Sequence, residues 1–95
     1  MLIHIVCFKY KPAVDAATRA DHRRRLRALG DIDGIGELKV GEDVVRSTRS
    51  YDTGLVIKFR DRAALDAYAK HPRHSPVAQF GVTNSESIVS VDFEA

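Results

Sequence analysis

Leu2-Ile3-His4-Ile5-Val6-Cys7-Phe8-Lys9-Tyr10 is the stretch whose reading decides the architecture. Side chains alternate along an extended strand, so Leu2, His4, Val6, Phe8 and Tyr10 fall on one face while Ile3, Ile5, Cys7 and Lys9 fall on the other. Both faces are largely apolar, which describes a central strand covered on two sides, with Lys11-Pro12 ending it. A chain of 95 residues is one domain with a single core, so its own helices account for only one of those covers.

Outward from that strand, residues Val14 to Gly30 are rich in Ala, Arg and Leu, lack internal Gly or Pro, and predict a helix. Thr18, His22, Leu26 and Leu29 share its inward stripe, with Arg25 at the margin and Arg23, Arg24 and Arg27 turned to solvent. His22 on that stripe reads as a buried, hydrogen-bonded histidine. Asp31 to Gly36 is a helix stop and turn. A second strand runs from Glu37 to about Val45, where Gly41 marks a bulge or bend, and Arg46 to Ser50 is a polar loop. Tyr51 to Arg60 alternates clearly, Tyr51, Thr53, Leu55, Ile57 and Phe59 against Asp52, Gly54, Val56 and Lys58. Asp61 is a suitable N-cap for the next helix, in which Leu65, Tyr68 and Ala69 share a face. Pro72 breaks that helix near His71. A short helix is expected over Ser75 to Phe80, a loop over Gly81 to Ser87, and a last strand over Ile88 to Phe93, whose helix-facing side the sequence does not specify.

The order strand, helix, strand, strand, helix, strand predicts an α+β fold, a ferredoxin-like βαββαβ sandwich with both helices on one face of an antiparallel sheet. Right-handed crossovers are expected from the first strand to the third and from the second to the fourth. The other sheet face, with Ile3, Ile5, Cys7 and Val56, is left without cover, and a second copy of the chain would supply it. The whole chain, 1–95, is one domain.

Composition narrows the partners. With 44% hydrophobic and 29% charged residues and a net charge of +2, this is a globular domain with no strong electrostatic preference. Arg23-Arg24-Arg25 lacks the lysine-rich tail or aromatic platform of a nucleic-acid site. No stretch approaches membrane-spanning length, and the apolar start has no basic leader, so the expectation is a cytoplasmic protein without membrane or nucleic-acid partners. The single cysteine cannot form an internal disulfide, and Cys7 alternates away from His4, so that imidazole cannot activate it within one subunit.

The chemistry-bearing stretch is Tyr68-Ala69-Lys70-His71-Pro72-Arg73-His74. Histidine changes charge between pH 5 and 8, so two imidazoles and a phenol at a helix break can hold a ligand or move a proton. The plainer reading gives His71 to the helix carbonyls as a cap. A metal site from His4, His71 and His74 would want a carboxylate or cysteine facing inward, and the sequence identifies none. No metal and no cofactor are therefore expected. Alternation and helix periodicity predict that His4, Tyr68 and His74 converge on one pocket, with His22 and Thr53 near its wall.

The opening His4-Ile5-Val6-Cys7-Phe8-Lys9-Tyr10-Lys11-Pro12, the Arg49-Ser50-Tyr51-Asp52 entry to the third strand, Ala67 to His74 and the terminal Val91-Asp92-Phe93 resemble the stress-responsive A/B barrel (Dabb) family across nearly the whole chain. The resemblance implies a dimeric α/β barrel made by two ferredoxin-like sheets packed face to face. In family members resembling polyketide cyclases, it implies a site at His4, Tyr68 and His74. A further histidine of that branch falls at Thr53 and a first-helix tyrosine at Arg25, while His22 offers a replacement imidazole. Three functional expectations follow. The first is a homodimer whose sheet-helix pocket binds a small apolar, aromatic or keto compound, with a stress-related physiology implied by the resemblance alone. The second is a cofactor-independent cyclase- or lyase-type enzyme with His74 as base and Tyr68 and His4 polarising a carbonyl. The third is a non-catalytic structural stress protein.

Overall fold

The computed structural model describes residues 1–95. Its elements are β1 (Leu2–Tyr10), α1 (Ala16–Arg27) continued by a 3-10 turn (Ala28–Asp31), β2 (Ile35–Glu42), β3 (Thr53–Phe59), α2 (Arg62–Ala69), α3 (His74–Asn84) and β4 (Ser85–Glu94). The strands form one antiparallel sheet in the order β2-β3-β1-β4. This is the ferredoxin-like βαββαβ arrangement, with β1 central as its two apolar faces require. The crossovers run otherwise than expected: α1 carries the chain from β1 to β2 and α2 with α3 carries it from β3 to β4, each stepping over one strand. No helix is long and apolar enough to cross a membrane.

Local chemistry explains the boundaries. Asp15 caps α1, its carboxylate accepting from the Thr18 amide at 2.8 Å, so the helix starts two residues later than its composition suggests. Asp61 does the same for α2, accepting from the Ala64 amide at 2.8 Å. At the turn into β2, Gly34 has φ +92°, and a side chain there would lie 2.7 Å from the Ala64 Cβ, so glycine is needed both for the angle and for the approach of α2. The irregularity in β2 sits between Ile35 and Glu37, not at Gly41, which pairs regularly with Gly54.

Between sheet and helices lies one core. Phe8, Leu55, Ile57 and Phe59 pack against Leu26, Leu29 and Tyr68, with Ile57 and Phe59 fully enclosed. The sheet's other face carries the complementary alternation. Register places Ile3 beside Phe93, Ile5 between Val56 and Val91, and Cys7 beside Val89. Val89, Val91 and Phe93 stand 47%, 54% and 45% exposed, so this face is a continuous apolar surface that the chain itself leaves bare.

Candidate functional site

The inward face of β1 sets the axis of the site. His4 near its start looks toward α2 and α3, where Tyr68 is 6.3 Å away between ring centroids, and Tyr68 in turn lies 4.5 Å from the His74 ring. Pro72 ends α2 and lets the chain turn so that His74 opens α3 facing back toward Tyr68. The turn is pinned from outside by Arg73, which donates to the Ala28 carbonyl and pairs with Asp31 at 2.9 Å. His4, Tyr68 and His74 line one cavity of about 260 Å³ between the sheet and α3. Ten of its 14 lining residues are hydrophobic, so a polar group of a bound molecule has few places to find a partner.

Protonation states follow from that apolar setting. Burial pushes the Tyr68 phenol up to about 12, keeping it a hydrogen-bond donor at neutral pH, and its hydroxyl makes no hydrogen bond within the chain. Burial also holds His74 below the ordinary histidine value, with His4 and His71 adding to the effect and the Ala69 carbonyl opposing it, so its ring stays neutral and able to accept a proton. His4 is paired through Nδ1 with the Asp92 carboxylate of β4. That contact with a carboxylate fixes the ring's orientation, the arrangement found in acid/base histidines.

Asp92 is the member that sequence reading missed, and it overturns the premise that no carboxylate faces inward. The signal lay in β4 itself: if Val89, Val91 and Phe93 form one face, then Ile88, Ser90 and Asp92 form the other, and the β1 register sets Asp92 opposite His4. His71 stays outside the cavity. Its amide donates to the Tyr68 carbonyl at 3.0 Å, while its ring nitrogen accepts from the Arg73 amide at 3.1 Å in place of donating to helix carbonyls.

His22 also lines the cavity, four residues of β1 away from His4, packed edge-on to Phe8 at 4.7 Å and stacked with Phe80 at 5.8 Å. Only one of its nitrogens is satisfied. Nδ1 meets the Tyr10 hydroxyl at 2.6 Å, while Nε2 is buried without a partner. Thr53 stands behind this layer, accepting from Tyr10 at 3.0 Å, and does not reach the cavity wall. Arg25 lies outside it, its guanidinium 4.2 Å above the Phe80 ring and bonded to Asp21 at 3.0 Å. Arg23 is not on the solvated face assigned to it, because its side chain reaches between Thr53 and Glu42, at 3.3 Å from each, and is 13% exposed.

The family model for the stress responsive A/B barrel domain matches residues 2–95. The chain belongs to the Dabb family. Among solved structures, this Dabb domain is similar to a dimeric ferredoxin-like protein of unknown function from Thermobifida fusca, at 21% identity and a TM-score of 0.91 over 99% of this chain and 90% of that one. A dimeric ferredoxin-like protein of unknown function from Jannaschia is 28% identical, with a TM-score of 0.84 over 99% and 98% of the two chains. The hydroxynitrile lyase of Passiflora edulis shares the fold at 18% identity and a TM-score of 0.86, over 97% of this chain and 90% of that one. No curated protein matches the sequence.

Proposed function

We propose that this Dabb domain is a cytoplasmic homodimer, joined through the bare sheet face, whose sheet-helix pocket binds a small apolar or aromatic compound carrying a carbonyl group. The observation that carries the reading is the convergence of His4, Tyr68 and His74 on an apolar cavity of about 260 Å³. A carbonyl oxygen entering there meets the Tyr68 hydroxyl as donor, in surroundings that strengthen each hydrogen bond by excluding water. Relatives that are themselves dimeric support the assembly, and the family's description supports a stress-responsive setting. A purely structural stress protein has no need of such a cavity.

The His4–Asp92 pair favours a second reading, proton transfer on the bound compound without a cofactor. His74 would act as general base, Tyr68 would donate to the carbonyl oxygen, and His4, oriented by Asp92, would hold it. Benzaldehyde binding followed by NMR tests the first reading. His74→Ala and Tyr68→Phe are expected to weaken it about tenfold while the melting temperature stays within a few degrees. Unchanged affinity in both variants, or no binding to the parent protein, would refute the pocket. Release of aldehyde from an aromatic cyanohydrin, lost in Asp92→Asn, tests the second reading.

A further inference from the structure

Two hydroxyls in the cavity have no partner inside the chain, and they stand on different walls. Tyr68 is one, packed against Phe59 of β3 at 5.2 Å between ring centroids. Ser90 of β4 is the other. Residues opposite each other in an antiparallel ladder point to the same side of the sheet, and the register sets Asp92 opposite His4 and Ser90 opposite Val6. Asp92 bonds to His4, which faces the helices, so Ser90, two residues away along β4, faces them as well. Ser90 is exposed at the cavity wall. Unlike the nearby Ser87 hydroxyl, which bonds to Tyr51 at 2.7 Å, that of Ser90 meets no other side chain.

The remaining polar lining residues are committed or stand with Tyr68. His4 is held by Asp92, His22 is bonded to Tyr10 at 2.6 Å, and the His74 ring lies 4.5 Å from that of Tyr68. Ser90 is therefore the one uncommitted polar group away from the Tyr68 cluster. Tyr68 packs over β3, Ser90 is on β4, and β1 runs between them. Two strand spacings are about 10 Å. Leu55, Val6 and Ser90 form one row across those three strands, and all three line the cavity, so the floor between the two hydroxyls is aliphatic. A flat ring lying across β1, with a polar group at each end and a hydrogen bond of about 2.8 Å beyond each, covers that span.

We infer that Ser90 bonds a second polar group of the ligand, at the end opposite the carbonyl taken by Tyr68, so that the site suits aromatic carbonyl compounds with a hydroxyl across the ring. This rests on the pocket reading above and adds to it the chemistry of the ligand's far end. A serine hydroxyl both donates and accepts, so it serves a phenol in either sense. Because Ser90 is exposed, water competes for the same bond and the gain is that of an ordinary hydrogen bond.

The probes are 4-hydroxyacetophenone and 4-methylacetophenone, which share a carbonyl and a shape and differ in the group across the ring. In NMR titrations of the full chain at pH 6.5, Ser90→Ala is expected to weaken the hydroxy ketone about fivefold and leave the methyl ketone where it was. Ser90→Thr, which keeps the hydroxyl, should retain the parent affinity for the hydroxy ketone. Tyr68→Phe should weaken both ketones alike. Neither serine variant should shift the melting temperature, since the side chain has no internal partner to lose. If Ser90→Ala changes neither affinity, or changes both equally, the role of Ser90 is overturned, and loss of both ketones in Tyr68→Phe still leaves the pocket standing. If neither ketone binds the parent protein, the pocket reading falls and this one with it.

Discussion

His22 makes the stability of this fold depend on mild acid in a way that can be isolated. In the unfolded chain its imidazole takes up a proton near pH 6.5, whereas in the folded chain burial, with Arg23 and Arg25 adding, delays protonation to about pH 4. Between those two values the unfolded state binds a proton that the folded state refuses, so stability is full above about pH 6.5 and falls as the pH drops toward 4. At about 1.4 kcal/mol per pH interval of one, the loss is about 3 kcal/mol, a large part of the 5–15 kcal/mol that holds an ordinary domain together. His22→Phe removes the titration while keeping a ring in the aromatic layer, and Tyr10 retains Thr53 as acceptor. Urea unfolding followed by circular dichroism, at pH steps from 7 to 4, should show a steep decline in the parent protein and a shallow one in the variant. Carboxylates held below their ordinary range, such as Asp15 and Glu37, lose their contribution mainly at lower pH and alike in both proteins. Parallel stability curves for the two would refute the burial argument.

Ile5→Glu places a charge at the centre of the bare sheet face, between Val56 and Val91. The molecular mass by light scattering is expected to halve, and an unchanged mass would show that this face is not the interface. Gly34→Ala combines a left-handed backbone angle with a 2.7 Å clash against Ala64, and should lower stability by about 2–4 kcal/mol. A loss under about 1 kcal/mol in chemical unfolding would contradict that geometry. Arg73→Ala should raise amide hydrogen exchange at the start of α3 relative to α1, because it releases the link from Ala28 and Asp31 to the turn before His74. Uniform exchange would mean that the turn holds itself.

The architecture was legible where the sequence pattern had one physical solution. β1 reads as central because apolar residues occupy both faces, and the observed strand order agrees. Its alternation also placed His4 inward, and helix periodicity placed Tyr68 and His22. Less legible was whatever depended on register between distant strands. Asp92 acquires its meaning only opposite His4, a pairing across 88 residues of sequence. Thr53 and Arg25 lie on the elements expected, but neither lines the cavity: Thr53 is bonded to Tyr10 and Arg25 lies over the Phe80 ring. Gly81 was misread for a different reason. As a helix breaker it predicts a loop, yet α3 runs through it to Asn84, because the absent side chain lets the helix lie against His22 and Phe8. Tertiary contact outweighs a local preference of about 1 kcal/mol.

The uneven cover of the sheet bears on how quickly a guest can come and go. Every residue from Ile88 to Ala95 is exposed. Val82 at 58% and Ile88 at 39% exposure form the rim there, while His74, Tyr68 and His22 lie farther in. Entry along β4 therefore disturbs no core side chain, and residence time is governed by the inner polar partners. Bulkier residues at Val82 or Ile88 would slow arrival and departure together and leave the equilibrium between them nearly where it was.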